Sequence, residues 1–560
     1  MDTLGTTQRA NIHAPGQHAP KRHVIGGSAV AREVTQRVMQ ALDGAAAHSG
    51  RTPDDVLVET LYHRQQRLAD PNCGPNADQE RERIKELRRA FAHARAGSRS
   101  SLVEQVVNDY AAEIAGHFDP RVYGFATSVI PSALAALLHG GKPSTHLFDV
   151  DERILLEGEV SALQRAARQG TVVLVPTHVS NLDSLVLGYA IYRLGLPPFA
   201  YGAGLNLFSN PVIGFFMRHL GAFTVDRTKL DPLYLATVKE YASVLLEQSQ
   251  HMLFFPGGTR SRSGAVESHL KLGFLGRVVS AYVNRHIASS QSRPMFVVPC
   301  TLSYPLVLEA ESLIEQYLSK RGGPHFVDVR DELEEPTRWL SFLRGLGSLD
   351  VEVHVRFGQP LDPFGNLIDE HGVSRDTHGR ALDATRYVQA DGVVVRDAAR
   401  DAEYTRSLSE QLLSAYKHEA VALPSSVLAF ALFSCLHRRF PRLDLFHLLR
   451  VLGPTASVSL AELDPEIDRL LVALERLAAS CQIQLAPELR SGGRSAVLEH
   501  GVATLTEYHR PAVLRRSAAA IEVTQPSLLL YYRNHLEGYG LPGAIELPQA
   551  RERNAGWGST

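Results

Sequence analysis

The sequence predicts an α/β protein with a central sheet, mostly parallel or mixed, that is layered with helices and flanked by N-terminal and C-terminal helical regions. Between about residues 151 and 365, short β-rich runs alternate with helical stretches, as in strands joined by crossover helices. On both sides of this segment, apolar residues recur three and four positions apart, which is typical of amphipathic helices. A chain of 560 residues also exceeds one ordinary core, so several structural units are expected.

The N-terminal part of the chain is predicted to be helical from residue 26 to about 150. Residues 1–25 are polar and rich in His, Pro and Gly, so we expect a disordered tail without a secretory signal. Amphipathic periodicity predicts helices over residues 30–42, 79–96 and 102–115.

The central segment supplies the predicted sheet. Strands are predicted at residues 171–176, 252–255, 295–300 and 351–357, and helices at 182–194, 233–248 and 271–285. Ligands gather at the carboxyl ends of strands in sheets of this kind. His178 and Gly257 each follow a predicted strand by two residues, so we expect both at one edge of the sheet.

The rest of the chain divides into a short loop segment and a second helical region. Residues 366–400 are rich in Asp, Gly, Arg and His, which predicts a loop with a hairpin near residues 393–395. Helical periodicity returns over 401–560, for example at 412–416, 427–436 and 467–479.

Composition excludes some classes of function. The formal net charge is −2, which argues against a nucleic-acid-binding protein. The four cysteines are scattered without metal-ligand or disulfide spacing, so no metal site is expected and a reducing cytoplasm fits best. The uncharged stretch 194–217 contains too many prolines, glycines and amides to span a bilayer. It is expected either to lie at a membrane surface or acyl groove, or to be a buried core segment.

His178 and Asp183 form a candidate catalytic pair. Their five-residue spacing suits the corner between a strand and a helix, where the helix dipole favours a carboxylate. Asp183 could then hold the His178 imidazole in one tautomer, leaving the ring to act as a general base. The alternative is that Asp183 only caps the helix and His178 is a packed loop residue.

The glycine-rich string F-P-G-G-T-R-S-R-S-G at residues 255–264 is a candidate phosphate site. Gly258 permits close approach of the backbone, while Arg260 and Arg262 can bind phosphate oxygens through charge-assisted hydrogen bonds. Thr259 and Ser261 add hydroxyl donors. The spacing is not that of a nucleotide-binding P-loop. Taken alone, the string favours a polar turn with solvated arginines over a phosphate site.

Two further strings complete a pattern that resembles a known family. G-A-F-T-V-D-R at 221–227 adds Arg227, and V-P-C-T-L-S-Y at 298–304 is a strand containing Pro299. The four strings, in this order, resemble the blocks of the glycerolipid acyltransferases, and most closely the bacterial membrane-associated glycerol-3-phosphate acyltransferases. The segments F-D-P-R-V-Y at 118–123 and Y-Y-R-N at 531–534 resemble flanking parts of that family less specifically.

The resemblance implies an activity and a set of roles. A fatty acyl group would pass from acyl-CoA or acyl carrier protein directly to the sn-1 hydroxyl of glycerol 3-phosphate, giving lysophosphatidic acid, the first step of phospholipid synthesis. No cofactor or metal is implied, and the absence of a G-x-S-x-G elbow near the site agrees with transfer that forms no acyl-enzyme. The implied roles are His178 as base with Asp183 as its partner; Arg227, Arg260 and Arg262 as phosphate ligands in a cradle shaped by Gly258, Thr259 and Ser261; and Pro299 on the acyl side.

The apolar chains of the substrate and product also imply attachment to a membrane. Peripheral association with the lipid surface at the cytoplasmic face of the inner membrane is expected. The candidate contact surfaces are the stretch 194–217 and the apolar run 427–436, which precedes the basic residues 437–439.

One position departs from the family pattern. Gly257 stands where the family usually carries a glutamate that takes part in handling glycerol phosphate. Glycerol phosphate could be bound differently, a water could replace the carboxylate, or the acceptor could be lysophosphatidate or dihydroxyacetone phosphate. A protein of this fold that binds lipid or acyl carrier protein without catalysis is the alternative from a different class.

Overall fold

The computed structural model describes residues 27–69, 77–94, 96–125, 153–205, 211–289, 291–322, 352–452 and 456–543. The tail predicted for residues 1–25 lies outside the described residues. Four N-terminal helices come first in the described chain: α1 (Ser28–Ser49), α2 (Pro53–Leu68), α3 (Ala77–His93) and α4 (Ala96–Ile114). Helix α2 lies within the region predicted to be helical but was not delimited individually, although the sequence contains its capping box, in which Thr52 and Asp55 cap each other's backbone amides.

A mixed sheet forms the centre of the described structure, in agreement with the predicted fold class. Its strands are β1 (Ile154–Gly158), β2 (Thr171–Pro176), β3 (Ala200–Gly204), β4 (Ala222–Val225), β5 (Met252–Leu253), β6 (Met295–Ser303) and β7 (Val353–Phe357), in the order β1-β7-β6-β2-β5-β3-β4. Five strands, from β6 to β4, run parallel to one another. Strands β1 and β7 are parallel to each other, and β7 pairs with β6 in the antiparallel direction.

Helices alternate with these strands along the chain. They are α5 (Val160–Gln169), α6 (Asp183–Arg193), α7 (Pro211–His219), α8 (Pro232–Glu247), α9 (Leu272–Ala288) and α10 (Ala310–Gly322). The predicted strands at 171–176, 252–255 and 295–300 correspond to β2, β5 and β6. Strands β1, β3 and β4 were not predicted. The sequence of β3 is A-Y-G-A-G, which lacks the β-branched residues that mark a strand.

Both faces of the sheet are buried, because the side chains of β2 alternate between two cores. Val173 and Val175 belong to the core that contains helices α1, α2, α4, α8 and α9. Val172 and Leu174 belong to the core that contains α6 and the C-terminal helices. The run T-V-V-L-V-P is therefore continuously apolar, as expected for a strand covered on both faces.

The remaining elements follow β7. Small antiparallel pairings join β8 (Leu367–Ile368), β9 (Ser374–Arg375) and β10 (Ala381–Leu382), and a hairpin joins β11 (Gln389–Ala390) to β12 (Val393–Val394). The C-terminal region contains α11 (Ala398–Glu419), β13 (Val421–Ala422), α12 (Pro424–Arg439), α13 (Leu445–Val451), β14 (Ala456–Ser459), α14 (Leu460–Ala479), β15 (Gln484–Leu485), α15 (Pro487–Ala496), α16 (Val502–Glu507), β16 (Leu514–Arg516), β17 (Ala520–Val523) and α17 (Pro526–Arg533).

Helix α12 corrects one prediction about membrane contact. Every side chain from Val427 to Leu436 is at most 5% exposed, because the other C-terminal helices surround α12 on all sides. The apolar run 427–436 is therefore a core helix, and its prediction as a membrane-contacting patch is wrong. Across the described ranges, no helix is both long enough and apolar enough to cross a bilayer.

Candidate active site

The loop that carries His178 leaves the sheet through a firmly held residue. Thr177 follows the last residue of β2 and is buried. Its backbone N–H donates to the Cys300 carbonyl at 2.9 Å, and its hydroxyl oxygen accepts from the Leu302 amide at 3.0 Å. Both partners lie on β6, so the neighbouring strand fixes the point from which His178 projects.

The predicted pair of His178 and Asp183 is in contact. Asp183 Oδ2 lies 2.8 Å from His178 Nδ1 and accepts the backbone N–H groups of Val179 at 2.7 Å and Ser180 at 3.0 Å. Because this carboxylate oxygen accepts two other hydrogen bonds, Nδ1 must be the protonated nitrogen. In the neutral imidazole, the lone pair is then on Nε2. The Asp183 side chain is fully buried, the His178 side chain is 12% exposed, and the imidazole stacks on Phe255 with 4.1 Å between ring centroids.

The two predicted strings touch each other directly. The Ser261 backbone N–H donates to the His178 carbonyl at 2.8 Å. Within the glycine-rich turn, the Gly258 amide donates to the Phe255 carbonyl at 3.0 Å, and Gly258 has a φ of 75°, which favours glycine. The loop of His178 and the turn of the candidate phosphate site are therefore joined by their backbones at the sheet edge.

Four cationic side chains surround this turn. The pKa of Arg227 is lowered by partial burial and by the charges of Arg260 and Arg262. Lys271 joins the cluster: burial lowers its pKa, and so do Arg227 and Arg262. A β-carbon built on Gly258 would lie only 2.6 Å from Lys271 Cδ, so the lysine stem lies directly over the turn. Sequence reasoning did not find Lys271, which is seven residues beyond the recognisable string.

Arg260 has a second role that the sequence did not indicate. Its Nη1 lies 2.9 Å from Oε1 of Glu309, a fully buried carboxylate. Glu309 also accepts the Asn181 amide at 2.6 Å and the Ser180 hydroxyl at 3.0 Å. Glu309 thus links the glycine-rich turn to the loop between His178 and Asp183, and it holds Arg260 in place at the edge of the cation cluster.

The part of the chain that carries the candidate site is similar to known proteins. The family described as Acyltransferase matches residues 158–303, a range that contains strands β2 to β6 and every predicted site residue. Residues 158–303 are thus similar to an acyltransferase domain, and this segment is called the acyltransferase domain below.

Several curated relatives of the acyltransferase domain share one description. Glycerol-3-phosphate acyltransferase of Pseudomonas aeruginosa LESB58 is 29% identical over 310 residues, covering 53% of this chain and 33% of the relative. The proteins of the same description from Aeromonas hydrophila and Pseudomonas putida W619 are 33% and 28% identical, over 40% and 69% of this chain. The matched segments span only 26% and 41% of those two relatives.

One solved structure is similar to part of the chain. The crystal structure of the 1-acyl-sn-glycerophosphate (LPA) acyltransferase PlsC from Thermotoga maritima is 16% identical. The match covers 43% of this chain and 72% of that chain, with a TM-score of 0.23.

Three other predicted site residues of the acyltransferase domain lie near the same edge. The Ser261 hydroxyl donates to the Ala265 carbonyl at 2.7 Å, so this side chain stabilises the turn, while Thr259 lies partly buried in it. Pro299 is buried within β6 beside Val175 of β2. The phosphate-binding role of Ser261 and Thr259, and the acyl-side role of Pro299, stay predictions.

A carboxyl group that was not predicted in the site also contacts His178. Oε1 of Glu267 accepts the His178 backbone N–H at 2.6 Å. Burial, opposed by this hydrogen bond and assisted by the charge of Asp183, raises the pKa of the Glu267 carboxyl to about 8. Sequence reasoning missed Glu267 because it lies outside the motif, and only the path of the loop after Gly264 brings it back to His178.

The C-terminal region packs against the acyltransferase domain at the glycine-rich turn. Gly264 has a φ of 82°, and a β-carbon there would lie 2.2 Å from the Tyr531 carbonyl oxygen. Asn534 Nδ2 donates to the Ser263 carbonyl at 2.9 Å. The segment 531–534, which the sequence marked as a weak resemblance, is therefore a direct support of the turn.

Proposed function

We propose that this chain transfers a fatty acyl group from a thioester to the sn-1 hydroxyl of glycerol 3-phosphate, giving lysophosphatidic acid. One observation carries the proposal: the backbone hydrogen bond from Ser261 to His178 joins the proposed base to a turn surrounded by four cations. Glycerol 3-phosphate that is bound through its phosphate at these cations would place its sn-1 hydroxyl beside the imidazole. The descriptions of the curated relatives support glycerol phosphate as the acceptor.

The chemistry needs one base and no covalent intermediate. His178 Nε2 takes the proton of the acceptor hydroxyl while the oxygen attacks the carbonyl carbon of the thioester. The bond between carbon and sulfur breaks, and the imidazolium returns the proton to the departing thiolate. Asp183 stabilises the imidazolium through Nδ1 and fixes the orientation of the ring.

The cation cluster supplies binding and orientation. The charge of Arg262 lowers the pKa of both Arg227 and Lys271, and that of Arg227 also lowers the pKa of Lys271, so a phosphate dianion placed among them would relieve this repulsion. Holding the phosphate fixes the distance from the hydroxyl to Nε2. Such positioning converts a bimolecular encounter into a reaction within one complex.

The acyl donor and the membrane are further parts of the proposal. Acyl-CoA and acyl carrier protein both present the required thioester, and peripheral attachment at the cytoplasmic face of the membrane would bring the enzyme to its apolar product. Leu205 and Phe215, in the stretch 194–217, are 45% and 49% exposed and supply apolar contact surface. Residues 206–210 of the stretch lie outside the described residues.

Membrane attachment has a direct test. Changing Leu205 and Phe215 together to serine is expected to weaken co-sedimentation with vesicles of phosphatidylethanolamine and phosphatidylglycerol, because apolar area leaves the contact surface. Changing the exposed Val472 on α14 to serine is the control. Equal sedimentation of all three proteins would contradict attachment through this stretch.

An acceptor panel tests the reaction. Release of free thiol would be measured with acyl-CoA and with acyl carrier protein thioester, each combined with glycerol 3-phosphate, dihydroxyacetone phosphate or lysophosphatidate. We expect glycerol 3-phosphate to give the highest kcat/KM. Preference for another acceptor would support the alternative that Gly257 raises, and binding without turnover for every pair would support a non-catalytic lipid-binding or carrier-binding protein.

A further inference from the structure

Gly257 leaves a space that another residue fills. Its φ lies outside the left-handed region, so the backbone alone does not require glycine at this position. A β-carbon built on Gly257 would lie 3.3 Å from both Cγ and Oε1 of Glu267. Contacts this short are tight, so Glu267 would have to move to admit any side chain at position 257. The lack of a side chain at Gly257 therefore leaves room for the Glu267 carboxyl.

The carboxyl that occupies this space acts on the base. Glu267 Oε1 accepts the His178 amide at 2.6 Å, while the His178 carbonyl accepts from Ser261 at 2.8 Å. Asp183 holds the imidazole at 2.8 Å. Glu267 and Ser261 thus hold the backbone amide and carbonyl of His178, and Asp183 holds its ring. Of these three contacts, the one from Glu267 depends on the absence of a side chain at Gly257.

We propose that Glu267 is a positioning residue for His178. We further propose that Gly257 and Glu267 form a coupled pair, because the carboxyl of Glu267 fits only where position 257 has no side chain. The inference rests on the proposed function, since it concerns the same base. It also concerns the family glutamate that Gly257 replaces. A carboxyl group is still present beside position 257, but it belongs to Glu267, ten residues further along the chain.

The protonation state of Glu267 selects an informative variant. Because burial raises its pKa to about 8, the carboxyl is mostly neutral at pH 7, and glutamine has nearly the same shape and an equivalent carbonyl acceptor. Glu267→Gln should therefore keep the hydrogen bond from the His178 amide. Glu267→Ala removes it and leaves the partly buried His178 N–H without this acceptor.

Steady-state kinetics separates positioning from substrate binding. Glu267→Ala is expected to lower kcat by about 10²-fold with little change in the KM of the thioester, because the base is displaced and the acyl site is not. Glu267→Gln is expected to stay close to wild type. Glu522→Ala, at a partly buried glutamate on β17, is the control. Wild-type kcat in Glu267→Ala would overturn the proposal.

The coupled pair has a sharper test in a double variant. Gly257→Glu alone is expected to lose activity, because two carboxyl groups would compete for one space. Combined with Glu267→Ala, the new carboxyl has room and should recover activity above that of either single variant. Thermal unfolding of all the variants shows whether each is folded. Additive losses in folded proteins would overturn the coupling.

Hydrogen–deuterium exchange keeps this test independent of the reaction. Exchange in peptides spanning residues 176–184 is expected to be faster in Glu267→Ala and to return toward the wild-type rate in the double variant. This measurement can be made even if no acceptor is acylated. The absence of acylation would contradict the proposed function but not the role of Glu267. Unchanged exchange in Glu267→Ala would overturn the role of Glu267.

Discussion

Replacing His178 with alanine is expected to lower kcat by roughly 10²- to 10⁴-fold, the usual contribution of a positioned general base. The KM of the phosphorylated acceptor should change little, because the cation cluster is untouched. Thiol release from acyl-CoA in the presence of glycerol 3-phosphate measures both quantities. Equal rates for the wild type and His178→Ala would contradict the assignment of His178 as the base.

Asp183→Asn provides the matched comparison for this prediction. The amide has nearly the same shape as the carboxylate, but it cannot stabilise a charged imidazolium as the carboxylate does. Asp183 Oδ2 also accepts two backbone amides, so the variant must be shown to be folded. We expect kcat to fall in a folded protein. A reduced melting temperature with unchanged kcat would instead support the alternative that Asp183 only caps the helix.

Replacing Arg262 with alanine is expected to raise the KM of the phosphorylated acceptor by roughly 10- to 100-fold, as the loss of one charge-assisted hydrogen bond implies. Arg262 lies close enough to Arg227 and Lys271 to lower their pKa values, which places it inside the cluster. The KM of the thioester and the melting temperature should stay near those of the wild type. Inorganic phosphate should also compete less well with the acceptor in Arg262→Ala than in the wild type.

Arg260→Ala is expected to behave differently, because its partner Glu309 is fully buried. Removing the guanidinium leaves a buried carboxylate without its cation, so the melting temperature should fall along with activity. Arg380→Ala, at an exposed arginine in the loop before β10, is the control. If Arg260→Ala and Arg262→Ala lose stability equally, the separation of structural and binding roles is wrong.

The sequence predicted the fold class and the common edge of the site because both depend on local patterns. The apolar run of β2 and the helical periodicity around it need only neighbouring residues to be recognised. His178 and Gly257 were placed together because both follow strands of a largely parallel sheet. The contact between Ser261 and His178 agrees with that reasoning.

The parts that the sequence did not predict depend on contacts between distant segments. Glu309 and Glu267 reach the His178 loop from 128 and 89 positions away, and no spacing rule specifies either contact. The run 427–436 has the composition of a membrane-contacting patch or a core helix, and only the surrounding helices decide between them. Strand β3 is too rich in alanine and glycine to be recognised by propensity.

The contact between Asn534 and Ser263 has a consequence for biosynthesis. The two residues are 271 positions apart, so a nascent polypeptide completes its acyltransferase domain long before the ribosome adds the segment that supports the glycine-rich turn. Translation at about 5–20 residues per second separates the two events by many seconds. During that interval the glycine-rich turn lacks the contacts of Tyr531 and Asn534, so we expect the proposed acyl-transfer activity to appear only after this segment has packed against the turn.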